Sequence, residues 1–186
     1  MTHQTIIVID FGSQYTQLIA RRLRELSVFS EILPPGTPIA EIIRRKPAGV
    51  ILSGGPKSVS EPGAPHPAAA VYELDVPTLG VCYGMQLLTA HCGAGPTPHR
   101  EFGVASIDVV GSGALFRNVP GSMKVWASHG DAVTAAPPGF DVVATSANAP
   151  VAAMQHRTRP VYGLLFHPEV VHTEHGAQIL RNFAHA

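Results

Sequence analysis

Thr5-Ile6-Ile7-Val8-Ile9 is five β-branched residues in succession with no polar interruption. A strand with one solvated face alternates polar and apolar positions, so an unbroken run predicts a strand covered on both faces. Asp10-Phe11-Gly12-Ser13 ends the run, and Ser13 is the expected N-cap of a helix. In that helix Tyr15, Leu18, Ile19, Arg22, Leu23 and Leu26 recur at near-helical spacing, with Arg21, Arg24 and Glu25 on or near the other side. Val28–Leu33 reads as a second strand. Thr37-Pro38 reads as a cap with proline at the first helical position, before a helix over Ile39–Arg45. Ala48–Leu52 is a third strand. Strand, helix, strand, helix, strand implies right-handed crossovers and a parallel sheet.

From Ser53 to Pro67 the chain is dense in Gly, Pro and Ser and is expected to be a loop after a strand. A short helix over Ala68–Leu74, a strand over Pro77–Val81 and a helix over Tyr83–Cys92 follow. Beyond Gly93-Ala94-Gly95-Pro96 the texture changes. Runs at Ala105–Val110, Met123–Trp126, Phe140–Thr145, Val151–Met154 and Val161–Phe166 are of strand length and separated by turns, which predicts a meander or mixed region. His175–Ala184 closes the chain as a helix with Ile179, Leu180 and Phe183 on one face. There is no internal repeat or low-complexity segment, and 186 residues are about the size of one domain.

Gly80-Val81-Cys82-Tyr83-Gly84 places a cysteine between two glycines where an apolar run meets a helix. G-x-nucleophile-x-G is the spacing of a nucleophile elbow, in which residues without a Cβ relieve crowding around a strained central position. A helix N-terminus also favours thiolate and offers N–H donors to an oxyanion. Cys82 is therefore a candidate nucleophile. A buried structural cysteine at an ordinary strand-to-helix turn is the alternative.

A cysteine nucleophile needs a base and a group to orient that base. Phe166-His167-Pro168-Glu169 offers both, because His167 and Glu169 stand two apart on extended chain and Pro168 stiffens the link. A surface His-Pro turn with a solvated Glu, or half of a metal site, would use the same residues. Against a metal, the other histidines lack ligand spacing and no C-x-x-C occurs. Ser53-Gly54-Gly55-Pro56 follows a buried strand, where paired glycines let backbone N–H groups approach a ligand. No phosphate-loop pattern follows it, and one arm of an oxyanion hole, with the N–H of Tyr83 as the other, fits better. Ser128-His129-Gly130-Asp131 reads as polar groups on a strand-end loop, or as a plain polar turn.

Thirteen basic residues balance thirteen acidic ones, so no net field attracts nucleic acid or an anionic membrane. A small neutral or zwitterionic substrate suits this balance. Two cysteines, Cys82 and Cys92, are too few for a disulfide framework and point to a reduced, cytoplasmic protein. The stretch from Met1 to Asp10 is too short for a signal peptide or a membrane span.

Taken together these motifs resemble the class I glutamine amidotransferases. Within them, they are similar to the glutaminase domains of GMP synthetases. The broad resemblance rests on Gly80–Gln86 and Phe166–Val170. The narrower one rests on Ile9–Arg22, Ile51–Pro56, Arg100-Glu101-Phe102-Gly103 and Trp126–Asp131. It implies one Rossmann-like, flavodoxin-like α/β domain over 1–186, with additional mixed or antiparallel strands in the C-terminal half. It also implies Cys82 as nucleophile, His167 as base, Glu169 as orienter, Gly55 and Tyr83 as the oxyanion hole, and Gly54, Gln86, Ser128, His129, Gly130 and Asp131 around the glutamine. No metal or cofactor is implied for this part. ATP and Mg²⁺ belong to an ATP pyrophosphatase (synthetase) domain or subunit, the implied partner, whose phosphate loop is absent from the sequence. Its absence implies a fragment of a two-domain enzyme or one polypeptide of a split one, and the ending at Arg181–Ala186 favours the fragment. Other amidotransferase subunits, for anthranilate, carbamoyl phosphate or CTP synthesis, fit the Gln14–Arg22 and His129–Asp131 stretches less well. A non-catalytic module would be expected to lack Cys82, His167 or Glu169. The sequence departs from the family at the compact, Pro-containing segment 93–99, at Ala127 and at Leu165, positions that bear on the lining of the glutamine pocket.

Overall fold

In the computed structural model, which describes residues 4–185, the Thr5–Ile9 run forms strand β1 with Ile6–Ile9 wholly buried. Residues 1–3, at the start of the N-terminal stretch considered above, and residue 186, in the closing segment, lie outside the described residues. The elements that follow are α1 (Thr16–Glu25), β2 (Phe29–Leu33), α2 (Ile39–Arg44), β3 (Gly49–Leu52), β4 (Thr78–Val81) and α3 (Tyr83–His91). Then come β5 (Thr97–Val109), β6 (Ser122–Ala132), β7 (Phe140–Ser146), β8 (Ala153–His156), β9 (Val161–Leu164) and α4 (Gly176–Ala184).

The nine strands of the described residues form one sheet in the order β2-β1-β3-β4-β9-β8-β7-β5-β6. The first five are mutually parallel, and β8, β7, β5 and β6 continue the sheet antiparallel. The parallel part has the doubly wound order of flavodoxin-like folds, in which ligands bind beyond the carboxyl ends of the strands. β3, β4 and β9 are buried at every residue, as unbroken apolar runs require. Helix α3 packs on β3, β4 and β9, while α1 and α4 pack on each other. Among the described residues no helix is long and apolar enough to cross a membrane.

Several boundaries differ from those expected. Helix α1 starts at Thr16, because Ser13 accepts the Tyr15 N–H (3.1 Å) in a turn ahead of the helix rather than capping it. Pro38 is the N-cap of α2, not its first helical residue, and the Thr37 hydroxyl turns back to Pro34 O (2.7 Å). The helix expected over Ala68–Leu74 is a single 3₁₀ turn at Ala69–Val71. The largest difference is in β5 and β6. The strand expected over Ala105–Val110 begins at Thr97, within segment 93–99, and passes through a bulge between Pro98 and Glu101. Ser128–Asp131 is not a strand-end loop but lies within β6, paired with β5.

Candidate active site

β4 and β9 are parallel neighbours with Val81 opposite Leu164, so the residues that leave their carboxyl ends emerge side by side. Cys82 leaves β4 and His167 leaves β9. At the elbow Cys82 has φ +47° and ψ −107°, a conformation that L-residues rarely adopt and that costs about 1–3 kcal/mol. The surroundings enforce it. Cys82 N–H donates to Leu164 O (2.8 Å), Gly84 N–H to Ser53 O (3.0 Å) and Gln86 N–H to Cys82 O (3.0 Å). A Cβ on Gly80 would lie 2.6 Å from the Gly84 carbonyl, and one on Gly84 would collide with Leu52 O. Both glycines therefore serve close approach, which lets α3 start directly over the sheet.

Cys82 Sγ lies 3.2 Å from His167 Nε2, and His167 Nδ1 lies 2.7 Å from Glu169 Oε1. All three residues are buried. Burial pulls the His167 imidazole down, but the Cys82 sulfur and the Glu169 carboxylate outweigh it and hold the ring well above its ordinary value. The imidazole is thus equipped to keep a proton at neutral pH while facing sulfur. Its position is fixed on every side: His167 N–H donates to Trp126 O (3.0 Å), and the Thr173 hydroxyl donates to His167 O (2.6 Å). The Tyr15 ring stands edge-on at 4.9 Å, and a Cβ on Gly54 would press to 3.1 Å from His167 Cε1. Arg22 Nε donates to Glu169 O (3.0 Å), which anchors the carboxylate residue to α1.

Cys82 opens into a cavity of about 550 Å³ whose walls include Gly55, Tyr83, Gln86, Ser128, Gly130 and Asp131. Gly55 and Tyr83 are neighbours, since a Cβ on Gly55 would sit 2.8 Å from Phe11 O and 3.3 Å from Tyr83 Cδ1. Tyr83 is the first residue of α3, where backbone N–H groups have no intrahelical acceptor. Gln86 is buried and donates through Nε2 to Asp131 O (2.9 Å), tying α3 to the far end of β6. His129 is placed differently from its neighbours in β6. It lines the same cavity, but its nearly fully buried side chain brings Nε2 to 3.4 Å from Glu101 Oε2 and so braces the ribbon. Burial holds its pKa below the ordinary value, partly offset by Glu101.

The structure thus brings Cys82, His167 and Glu169 into contact and gathers Gly54, Gly55, Tyr83, Gln86, Ser128, His129, Gly130 and Asp131 around them. Ala127 and Leu165 line a void of about 10 Å³ behind the wall, apart from the larger cavity. Lys57, Ser58 and Glu61 of the loop after β3 and Pro98, Arg100 and Phe102 of β5 also line the cavity, and sequence reasoning gave them no role there. Thr173 was missed as well, because a hydroxyl six residues after His167 follows no motif. Arg100 and Phe102 did carry a signal, in the Arg-Glu-Phe-Gly stretch. Among the described residues no group of three or more His, Cys, Asp or Glu is placed to hold a metal ion.

Fold and site together define a class: a doubly wound α/β protein with a thiol, imidazole and carboxylate relay at a strand-to-helix elbow. The chain belongs to the class I glutamine amidotransferase family, whose pattern matches residues 7–186. It is 50% identical over 184 residues to a glutamine-hydrolysing GMP synthase of Thermobifida fusca, covering 98% of this chain and 35% of that protein. It is 51% identical over 183 residues to the corresponding Parafrankia protein, covering 97% of this chain and 34% of the relative. The chain therefore spans about a third of the length of the relatives it matches. Among solved structures, that of a Thermoplasma acidophilum GMP synthase subunit superposes with a TM-score of 0.91 at 34% identity. That match covers 100% of this chain and 94% of the other.

Proposed function

We propose that this chain hydrolyses glutamine to glutamate and ammonia with Cys82, His167 and Glu169, and that the ammonia serves the amination of XMP to GMP in purine nucleotide biosynthesis. The observation that carries the reading is the relay itself: Sγ 3.2 Å from Nε2 and Nδ1 2.7 Å from a buried carboxylate, opening into a cavity large enough for an amino acid. Cys82 Sγ attacks the side-chain amide carbon. The resulting oxyanion accepts hydrogen bonds from the backbone N–H groups of Gly55 and Tyr83. His167 gives its proton to the amide nitrogen, ammonia leaves, and a γ-glutamyl thioester remains on the sulfur. His167 then takes a proton from water, the resulting hydroxide attacks the thioester, and glutamate departs as the thiol is restored. Glu169 holds the tautomer throughout. Gly54, Gln86, Ser128, His129, Gly130 and Asp131 hold the substrate.

The synthetase portion, which uses ATP and Mg²⁺, is a further domain or a separate polypeptide, and the reading needs no metal or cofactor in this chain, no nucleic acid and no membrane. It places the protein in the cytoplasm. Its test is glutamate release from glutamine by this chain, alone and with a matching synthetase polypeptide, ATP, Mg²⁺ and XMP. Release that Cys82→Ala abolishes is the expected result. No release by the wild type under either condition refutes it.

A further inference from the structure

β6 is the last strand of the sheet, and an edge strand leaves alternate backbone groups without a partner strand. Here the chain that follows β9 takes the partner's place. Lys124 N–H donates to Glu174 Oε2 (2.7 Å), and Glu174 N–H donates to Lys124 O (2.9 Å). One rung further along, Trp126 N–H donates to the Thr173 hydroxyl (3.0 Å) and His167 N–H donates to Trp126 O (3.0 Å). Just beyond Trp126, at Ser128, β6 enters the wall of the Cys82 cavity. The strand that carries that wall and the loop that carries the base are therefore joined edge to edge.

Thr173 closes this junction. It is buried, and its hydroxyl is used in both directions, accepting from Trp126 N–H while donating to His167 O (2.6 Å). Thr173 N–H donates to Val170 O (3.2 Å), which turns the chain back so that residue 173 stands beside residue 167. The hydroxyl thus clamps both ends of a short loop that contains Glu169. Thr173 lines neither the cavity at Cys82 nor the space of about 290 Å³ that reaches His167. It is placed to act on the chemistry through the position of the imidazole.

We propose that Thr173 is a positioning residue: its hydroxyl locks the His167 main chain to the strand that bears the substrate wall, and so holds Nε2 at the Cys82 sulfur. The proposal rests on the glutaminase reading above. Valine has the shape of threonine without the hydroxyl, so Thr173→Val leaves Trp126 N–H and His167 O unpaired in a buried place. Both groups must move to find partners, and a movement of about 1 Å at a reacting group can cost roughly a hundredfold. The loss should fall on kcat rather than KM, because Ser128, His129 and Asp131 stay paired with β5 and still meet glutamine. Thr173→Ser keeps the hydroxyl and with it both hydrogen bonds.

The test measures kcat and KM for glutamate release, under the conditions given above for this chain, and the rate at which iodoacetamide alkylates Cys82, read by mass mapping. Thr173→Val is expected to lower kcat about tenfold or more with KM within about threefold of wild type. It should also slow alkylation about tenfold, because a thiol without its imidazole partner is less often thiolate. Thr173→Ser should stay within about threefold of wild type in all three. Glu174→Ala is the control, since it removes a comparable rung at the exposed end of the same junction. It should lower the denaturation midpoint and leave the three readouts within about twofold of wild type. The proposal is overturned if folded Thr173→Val keeps wild-type kcat, if its loss falls on KM, or if Thr173→Ser or Glu174→Ala is equally impaired. Should Thr173→Val not fold, Thr173→Ala is held to the same criteria, and the Thr173→Ser criterion stands by itself. Failure of the glutaminase reading shows differently: wild type releases no glutamate, while alkylation of Cys82 still slows in Thr173→Val.

Discussion

Cys82 and His167 stand at the ends of parallel strands buried on both faces, whereas Ser128–Asp131 stand on the β5–β6 ribbon, which keeps one face open. The first region holds its side chains through backbone constraints: an elbow at positive φ, glycine contacts under 3 Å, and hydrogen bonds between neighbouring strand ends. The second, itself paired in the β5–β6 ladder, is tied to its surroundings through side chains: the Gln86 tie to Asp131 O and the His129–Glu101 pair. Covalent chemistry tolerates little displacement of the reacting atoms, and a shift of about 1 Å can cost roughly a hundredfold. Substrate recognition tolerates more. The buried sheet therefore suits the reacting atoms and the ribbon suits the adjustable wall, and substitutions in the two regions should have effects of different size and kind.

The largest effect is expected at the elbow. Cys82→Ala and His167→Ala should each lower glutamate release by on the order of 10⁴-fold or more, and the double variant should be little worse, because the pair acts as a unit. A glutamine-analogue electrophile should label Cys82 and not Cys92, whose thiol is pushed up by burial. Mass mapping that found label on Cys92 would remove the parallel region from the chemistry.

Glu169→Gln tests how that region divides its labour. A residue that orients the base should cost about two orders of magnitude less than the base itself. The carboxylate is also one of the groups that raise His167, so its loss should move the alkaline limb of the pH–rate profile to lower pH. The same linkage bears on stability. A folded-state pKa above the unfolded value of about 6.5 gives stabilisation that is complete below that value and is lost as pH rises through the folded pKa. Chemical denaturation of wild type and Glu169→Gln between neutral and alkaline pH measures it, and a wild-type profile unchanged by the substitution would separate Glu169 from the titration of His167.

The ribbon should respond with binding rather than turnover. Gln86→Leu leaves Asp131 O without its buried donor, a loss of about 1–3 kcal/mol. We expect KM for glutamine to rise by about tenfold with kcat changed much less, the mark of lost substrate positioning. Equal losses in kcat would mean that the ribbon, like the elbow, places reacting atoms.

The same contrast explains what the sequence made legible. Buried parallel strands need unbroken apolar runs, and an elbow needs glycine two residues either side of its nucleophile, so β1, β3, β4 and Cys82 were readable from local pattern. His167 and Glu169 were readable as a pair two apart, but their meeting with Cys82 depends on β9 inserting beside β4, which no local signal specifies. The ribbon was misread for a physical reason. Thr97–Glu101 contains proline and a bulge, and Ser128–Asp131 is polar, so neither has the alternation of a half-buried strand, although the two pair with each other. His129 stands in the cavity wall with Ser128, Gly130 and Asp131, and its side chain also meets Glu101.

His129 gives the finest test of the comparison, because it and His167 are buried but shifted in opposite directions. Burial holds His129 below its ordinary value, so the folded ribbon keeps it neutral where the unfolded chain would bind a proton. For such a group stability is unaffected well above pH 6.5 and falls as pH drops through the unfolded value of about 6.5 toward the folded one. Glu101 offsets part of this loss, which makes the effect the smallest of the set. Amide exchange on β5 and β6 should therefore accelerate, beyond the intrinsic pH dependence, as pH is lowered from about 7 to 5, while β1, β3 and β4 keep their protection. His129→Gln, which cannot take up a proton in that range, should abolish the extra acceleration. Equal loosening of β4 and β6 in acid would mean that the two regions open as one unit and that the division between rigid sheet and adjustable ribbon is wrong.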